Sequence, residues 1–369
     1  IDPAQTDDDH PQKQFNAITY TGTGSTRTLT GLGFQPDLVW IKSRSNANSN
    51  ELYDSNRGAT KRLRSDTNDG QDTRSSELTG FTSDGFSLGT STYGGTNYDD
   101  YTYVAWCWRC NGGTTSTNTQ GDITTTVQAN QAAGFSIFTY TGNGGGNNTT
   151  MGHGLSKAPD IWFLKNSSGS GESSQKDWRI SLNTGTGGAF RNLNNNSQTL
   201  KLNSSATASG LYRSDDNFEP TSTVVHAPDN GNANAFFVAS GFSYVSYCWH
   251  SVEGYSKFGL YEGNGNTDGP FVFTGFRPRL IFVKNLDGSA EWAVYDTARD
   301  VVNEMGNCLE WDLGVAEKTH ASNLTTDAMM FFSNGFKPTG GGGGRTNQTG
   351  QTYVYGAWGD VPHKYNNAF

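Results

Sequence analysis

No stretch of about 18 consecutive apolar residues occurs in the 369-residue chain, so no membrane insertion through a helix is expected. Positive charge is short: 26 Lys and Arg against 35 Asp and Glu leave a formal charge of −9. That balance argues against nucleic acid as a partner, because phosphate binding needs a clustered basic face. The densest basic run, "RGATKRLR" (Arg57 to Arg64), is read as a solvated strand–loop edge. Histidine is sparse and scattered at six positions, with no His-x-x-x-His and no Gly-x-Ser-x-Gly. Metal-ligand spacings and nucleophile elbows are therefore missing, and no catalytic or metal-binding residue is assigned. The glycine runs Gly142–Asn148 and Gly340–Gly344 do not join a strand to a helix, so they read as loop tips rather than phosphate loops. Residues 1–14 lack a hydrophobic signal core and read as a polar linker. The chain opens on Ile1 without an initiator methionine and is expected to be a trimmed piece of a longer product.

Only 33% of residues are hydrophobic, which by itself would suggest disorder. Disordered chains are poor in aromatics, however, and this one holds 9 Trp, 16 Tyr and 21 Phe beside 47 Gly. Short aromatic strands separated by Gly, Asn, Ser and Thr turns fit that composition. The fold class expected is all-β, with no convincing amphipathic helix.

Three landmarks recur in order. "YTGTG" (Tyr20 to Gly24) returns as "YTGNG" at Tyr140 and "YEGNG" at Tyr261, about 120 residues apart each time. Next come "DLVWIK" (from Asp37), "DIWFLK" (from Asp160) and "RLIFVK" (from Arg279). "YVAWCW" (Tyr103 to Trp108), "YVSYCW" (Tyr244 to Trp249) and "YVYGAW" (Tyr353 to Trp358) close each period. The expectation is three tandem copies of a ~120-residue antiparallel β-sandwich, jelly-roll or lectin-like, since the period far exceeds a solenoid repeat of about 20–50 residues. The copies run over residues 15–110, 134–250 and 251–361, with a polar linker at 111–133 and a C-terminal tail at 362–369. The long linker suggests a loosely attached first copy, with the second and third packed closely. In the first copy "ELYDSNRGATKRL" (Glu51 to Leu63) reads as loop, and the matching run from Ala290 reads as a strand and a turn.

The second landmark is apolar on both faces up to its lysine, as suits a central strand with a sheet packed against it. On the third, alternation puts Val104, Trp106 and Trp108 on one face and Tyr103, Ala105 and Cys107 on the other. Trp40, Trp106, Trp108, Trp162, Trp249, Phe282 and Trp358 are the expected structural core. Cys107 and Cys110 invite a Cys-x-x-Cys reading, but the third copy carries Ala357 in place of Cys107, and a strand would point the pair to opposite faces. Small buried thiols are expected, without a disulfide framework.

"DTNDGQDTRSSE" (Asp66 to Glu77) resembles an EF-hand loop, but its glycine is one place early and flanking helices are missing. A surface Ca²⁺ is compatible with the Asp- and Asn-rich loops, and no other cofactor is expected. Asp99–Asp100 and Asp215–Asp216 could serve as glycosidase carboxylates only if the fold set them about 5–10 Å apart across a sugar groove. Tyr93, Tyr98, Tyr101 and Tyr212, in polar loops, are the candidates for stacking on sugar rings, because loops on rigid sandwiches commonly hold recognition sites.

"YTGNG", "GFQPDLVWIK", "RGATK", "SDGFSLG", "YVAWCW", "AGFSI", "EGYSKFG" and "GNTDGPFV" together resemble a repeated domain of virion-associated proteins in marine tailed bacteriophages. Those phages infect cyanobacteria and abundant oceanic heterotrophs, and their proteins often carry lectin-like jelly-roll modules too. The resemblance extends from about Phe15 to Val361. It implies a non-enzymatic protein on the virion exterior, in contact with other virion proteins and forming a homo-oligomer, a trimer included. One expectation is a tail-fibre module that binds host cell-surface carbohydrate. The alternative is a capsid or tail decoration protein acting in assembly. A glycan depolymerase would require converging carboxylates in a groove.

Overall fold

A computed structural model describes residues 10–146, 149–171, 173–183, 198–207, 209–210, 219–227, 237–319 and 327–359. Over these residues the protein is all-β, with helix confined to a 3₁₀ turn at Pro11–Lys13 and one turn at Ser173–Lys176. Three large antiparallel sheets share one order. Each has an opening strand (Phe15–Thr21, Phe135–Thr141, Ser256–Glu262), beside which lies a closing strand from the far end of the same segment (Thr102–Trp108, Ser243–Trp249, Thr352–Gly359). Next comes the strand carrying the lysine (Leu38–Ser43, Ile161–Asn166, Pro278–Asn285), then a flanking strand (Glu51–Asp54, Arg179–Leu182, Ala293–Asp296) and an outer one (Lys61–Arg64, Gln198–Lys201, Leu309–Glu310). The register repeats as well: Trp108 lies between Phe15 and Leu38, Trp249 between Phe135 and Ile161, and Trp358 between Ser256 and Leu280.

A smaller sheet covers one face of each large one, built in the first segment from Arg27–Thr30, Leu78–Thr82 and Gly85–Leu88. Val39, Ile41, Tyr103, Ala105 and Cys107 bury against Leu29, Phe86 and Leu88 there. Equivalent two-layer cores fill the second and third segments. All four cysteines are buried and free. Burial pushes the Cys107 thiol well up and that of Cys248 up to about 12, so both behave as small apolar side chains.

The opposite face of every large sheet faces inward, to a core common to the three segments. Val104, Trp106 and Trp108 meet Phe135, Tyr247 and Trp249 and, from the third segment, Phe258, Phe282 and Trp358. Trp108, Trp249 and Trp358 form a triangle, with ring centroids 6.2, 5.4 and 6.0 Å apart and edge-to-face geometry on each side. Such aromatic pairs add about 0.5–1.5 kcal/mol each beyond their buried area. Trp40 and Phe282 also lie in this core, whereas Trp162 is one register place off and packs in the two-layer core of its own segment.

The first segment is thus not loosely attached. A sheet apolar on both faces needs two covers; the small sheet supplies one, and the neighbouring segments supply the other. Three hydrogen bonds from matching places close a ring between the segments. Trp178 Nε1 of the second donates to Arg64 O of the first at 2.7 Å, and Trp292 Nε1 of the third to Lys201 O of the second at 3.0 Å. Asn50 Nδ2 of the first closes the ring on Glu310 O of the third at 3.0 Å. The three acceptors occupy matching places on the outer strands, opposite Glu51, Arg179 and Ala293.

Further expectations are corrected. The stretch 111–133 contributes Ser116–Asn118 and Thr125–Asn130, which pair with each other and with the opening strand of the second segment. β-Branched threonines suit an edge strand even where polarity suggests a linker. Asp37 fixes the path into it by accepting from the amides of Cys110, Gly112 and Gly113 at 2.6–3.0 Å. Glu51–Leu63 is strand, turn and strand rather than loop. The basic run is not a solvated edge: Arg57 pairs with Asp54 and Arg62 with Glu51, with all four side chains at most 6% exposed. Of residues 1–14, Pro11–Lys13 form a turn and Gln14 is buried. The tail at 362–369 lies outside the described residues.

Candidate functional site

The loop between Leu88 and Thr102 stands on the recurrent Tyr-x-Gly-x-Gly strand end, and the reason for that motif is visible in the backbone. A Cβ on Gly22 would collide with the carbonyl of Tyr98, and Gly142 and Gly263 face the same obstacle from Ala239 O and Gln348 O. Gly24, Gly144 and Gly265 lie at φ 62°, 75° and 72°, in the left-handed region that favours glycine. In each segment the motif's tyrosine donates to a loop carbonyl: Tyr20 to Thr96, Tyr140 to Phe237 and Tyr261 to Thr346, at 2.6–2.8 Å. Asn97 then ties the first loop together, donating to Ser25 O and Gly89 O and accepting from Thr23 N. Asn347 holds the third loop through Asn264 N and Asn266 O. These shared buried groups make a firm platform.

What the loops expose differs. Tyr93 is 68% and Tyr98 41% exposed. Tyr101 is partly buried, its ring against Gly94 and its centroid 4.6 Å from that of Tyr98. Arg74 covers one side of the Tyr93 ring at 5.1 Å. The backbone correspondence of the third loop puts Gly343, Gln348 and Gln351 at these three places. The scaffold therefore needs the carbonyl of residue 98 and not the tyrosine ring. Asp99 and Asp100 are exposed on the same loop, Asp100 at φ 60°, a conformation aspartate tolerates better than most residues. Tyr212 and Asp215–Asp216 lie outside the described residues.

The carboxylates of the EF-hand-like stretch serve the protein itself. Asp66 accepts from Asn50 N, Asp69 pairs with Arg64, and Asp72 with Arg62 and Arg74. Among the described residues no three His, Cys, Asp or Glu side chains gather as a metal ion would require.

Other features escaped the sequence reading. The lysine ending the second landmark is buried in every segment: Lys42 donates to Asn48 O, Lys165 to Lys176 O and Lys284 to Ala290 O. Desolvation lowers Lys42 and Lys284 to about 8 and Lys165 to about 7, with nearby carboxylates opposing it. Their recurrence was a signal, but nothing local told a buried cation from an exposed one. Open grooves also lie on the surface. One of about 610 Å³ separates the first and second segments, between Asn56 and Gln71 on one side and Thr126, Thr141 and Ser243 on the other. Another of about 730 Å³ runs beside Lys257, Phe273 and Asn334. Groove residues come from strands remote in sequence, so no motif marks them.

No curated protein and no solved structure matches the chain. A family model described as a domain of unknown function, DUF7483, matches residues 10–362, and the chain belongs to that family.

Proposed function

We propose that the protein is a non-catalytic recognition module of the virion exterior, a tail-fibre or receptor-binding element. It is built from three copies of one β-sandwich unit and binds host cell-surface glycan through Tyr93, Tyr98 and Tyr101 of the first. The observation that carries the reading is the exposed tyrosine face on a pinned loop whose counterpart in the third segment holds glycine and two glutamines. Tyrosine offers large, rigid contact area with a polar tip at low conformational cost, which suits recognition of ring-shaped polar ligands. The shared sheet order, shared register and cyclic hydrogen bonds support three copies, and the resemblance of their landmarks supports the virion setting.

Glycan-array binding by the wild type and by a Tyr93→Ala/Tyr98→Ala variant tests this reading. Binding that drops at least tenfold in the variant, with thermal stability unchanged, supports it. An array without hits, or hits indifferent to the variant, overturns the tyrosine site. Immunogold labelling at distal fibres would agree with attachment.

A second reading, a capsid or tail decoration protein acting in assembly, draws on one observation. Phe271 and Phe273 are 50% and 56% exposed, and Val301 and Val302 are 89% and 57% exposed. Such apolar exposure suits contact with another virion protein or a second copy. Uniform labelling over the head, with concentration-dependent self-association, would favour it.

A further inference from the structure

We infer that the groove between the first and second segments is a separate ligand site for a neutral, hydroxyl-rich ligand of the saccharide class. That chemical class rests on the glycan reading above; the open site itself rests on a comparison of two junctions. At the junction of the third and first segments, Glu317 N donates to Arg44 O at 2.8 Å. Arg299 Nη1 donates to Glu317 Oε1 at 2.6 Å. The Arg44 guanidinium grips the same carboxylate through Nε at 3.1 Å and Nη2 at 2.8 Å. The junction of the first and second segments repeats the backbone and changes the side chains. Gln71 N donates to Ser167 O at 2.8 Å, and Arg57 Nη1 to Gln71 Oε1 at 3.0 Å. Ser167 stands where the other junction has Arg44, and Gln71 where it has Glu317. The bidentate ion pair that fills one junction is missing from the other, and the groove of about 610 Å³ opens there.

Its volume falls in the usual range for small-ligand sites of about 300–1,000 Å³. Its charged groups are already engaged. Arg57 is held by Asp54 at 2.5 Å, and Asp122 accepts from Thr150 N at 2.9 Å and Thr150 Oγ1 at 2.7 Å. Toward solvent, Asp122 apart, the lining is neutral: Thr124, Thr126, Thr141 and Ser243 are exposed hydroxyl residues, with Asn143 beside them. An anionic ligand would find its one arginine already paired, whereas sugar hydroxyls can donate to the Asp122 carboxylate and trade hydrogen bonds with the hydroxyl lining.

The test uses the full chain with threonine methyl groups labelled for NMR, titrated with gluco-, manno- and galacto-hexaose. The proposal expects at least one hexaose to shift the methyl signals of Thr124, Thr126, Thr139 and Thr141. Ser167→Arg/Gln71→Glu, which writes the other junction's ion pair into this one, should fold normally and weaken that binding at least tenfold. Thr141→Trp, at an exposed position, blocks the groove independently should the double variant fail to fold. Hexaose or array binding that leaves the groove threonines unmoved, or survives both variants, overturns the groove while the tyrosine reading stands. An absence of any glycan binding, on the array or in the titration, overturns both.

Discussion

The junctions of the first segment with its two neighbours are polar at their inner positions, whereas the junction of the second and third is apolar at the matching place. Tyr247 of the second segment donates to Asp54 of the first at 2.7 Å, and Trp106 of the first to Asp296 of the third at 2.9 Å. Each carboxylate also holds an arginine three residues on, Arg57 and Arg299, at 2.5 Å. Burial alone would lower both guanidinium pKa values, and the adjoining carboxylates outweigh it and raise them. By strand register, Leu182 takes the place of the aspartates in the second segment and Gly356 that of the ring donors in the third. Phe282 and Phe258 occupy the space a Gly356 side chain would need. Donor and acceptor are present together or missing together, as they must be where an unpaired buried polar group costs several kcal/mol.

That matching can be broken. Asp296→Leu copies the apolar junction into the polar one but leaves Arg299 and Trp106 behind; removing one partner of a buried pair should cost about 3–5 kcal/mol in urea unfolding. A loss under about 1 kcal/mol would refute the matching. Trp108→Ala, at the triangle shared by all segments, should cost a similar ~3–5 kcal/mol and act on one cooperative transition rather than on the first segment alone. Tyr247→Phe removes only the hydroxyl bound to Asp54 and should cost about 1.5–3 kcal/mol, while Tyr355→Phe, with no counterpart carboxylate, should cost less. Gly356→Ala overpacks the apolar junction by about 1–3 kcal/mol, which a melting curve would register.

The buried lysines of the three segments add a pH slope. Lys165, Lys42 and Lys284 are pushed by burial from 10.5 to about 7, 8 and 8. Between those values and 10.5 the unfolded chain binds more protons than the folded one, so stability should rise with pH over about 7 to 10. Lys165→Met should flatten that rise between pH 7 and 8 first, whatever its effect on absolute stability.

Much of the local structure was legible. The landmark strands, the glycines of Tyr-x-Gly-x-Gly and the buried thiols follow from alternation, backbone sterics and the exchange of cysteine for alanine. The Asp-x-x-Arg pairs of Asp54–Arg57 and Asp296–Arg299 were legible too, since the spacing recurs, yet a run dense in arginine suggested a solvated edge. The candidate loop was found as aromatic residues among polar ones, but its firmness depends on Tyr20, which reaches it from the opening strand, and on Asn97, which ties the loop to Thr23 and Ser25. Trp162 and Trp40 looked alike on paper; a difference of one register place sends them into different cores.

From the sequence alone came the strands, their repetition and the side chains each strand presents to its two faces, because period-2 alternation and turn geometry are properties of a few neighbouring residues. Only the tertiary structure decided what covers the inward faces, which carboxylate meets which ring, and which junction is left open. Those outcomes depend on residues such as Trp106 and Asp296, which the chain separates and only the shared core brings together.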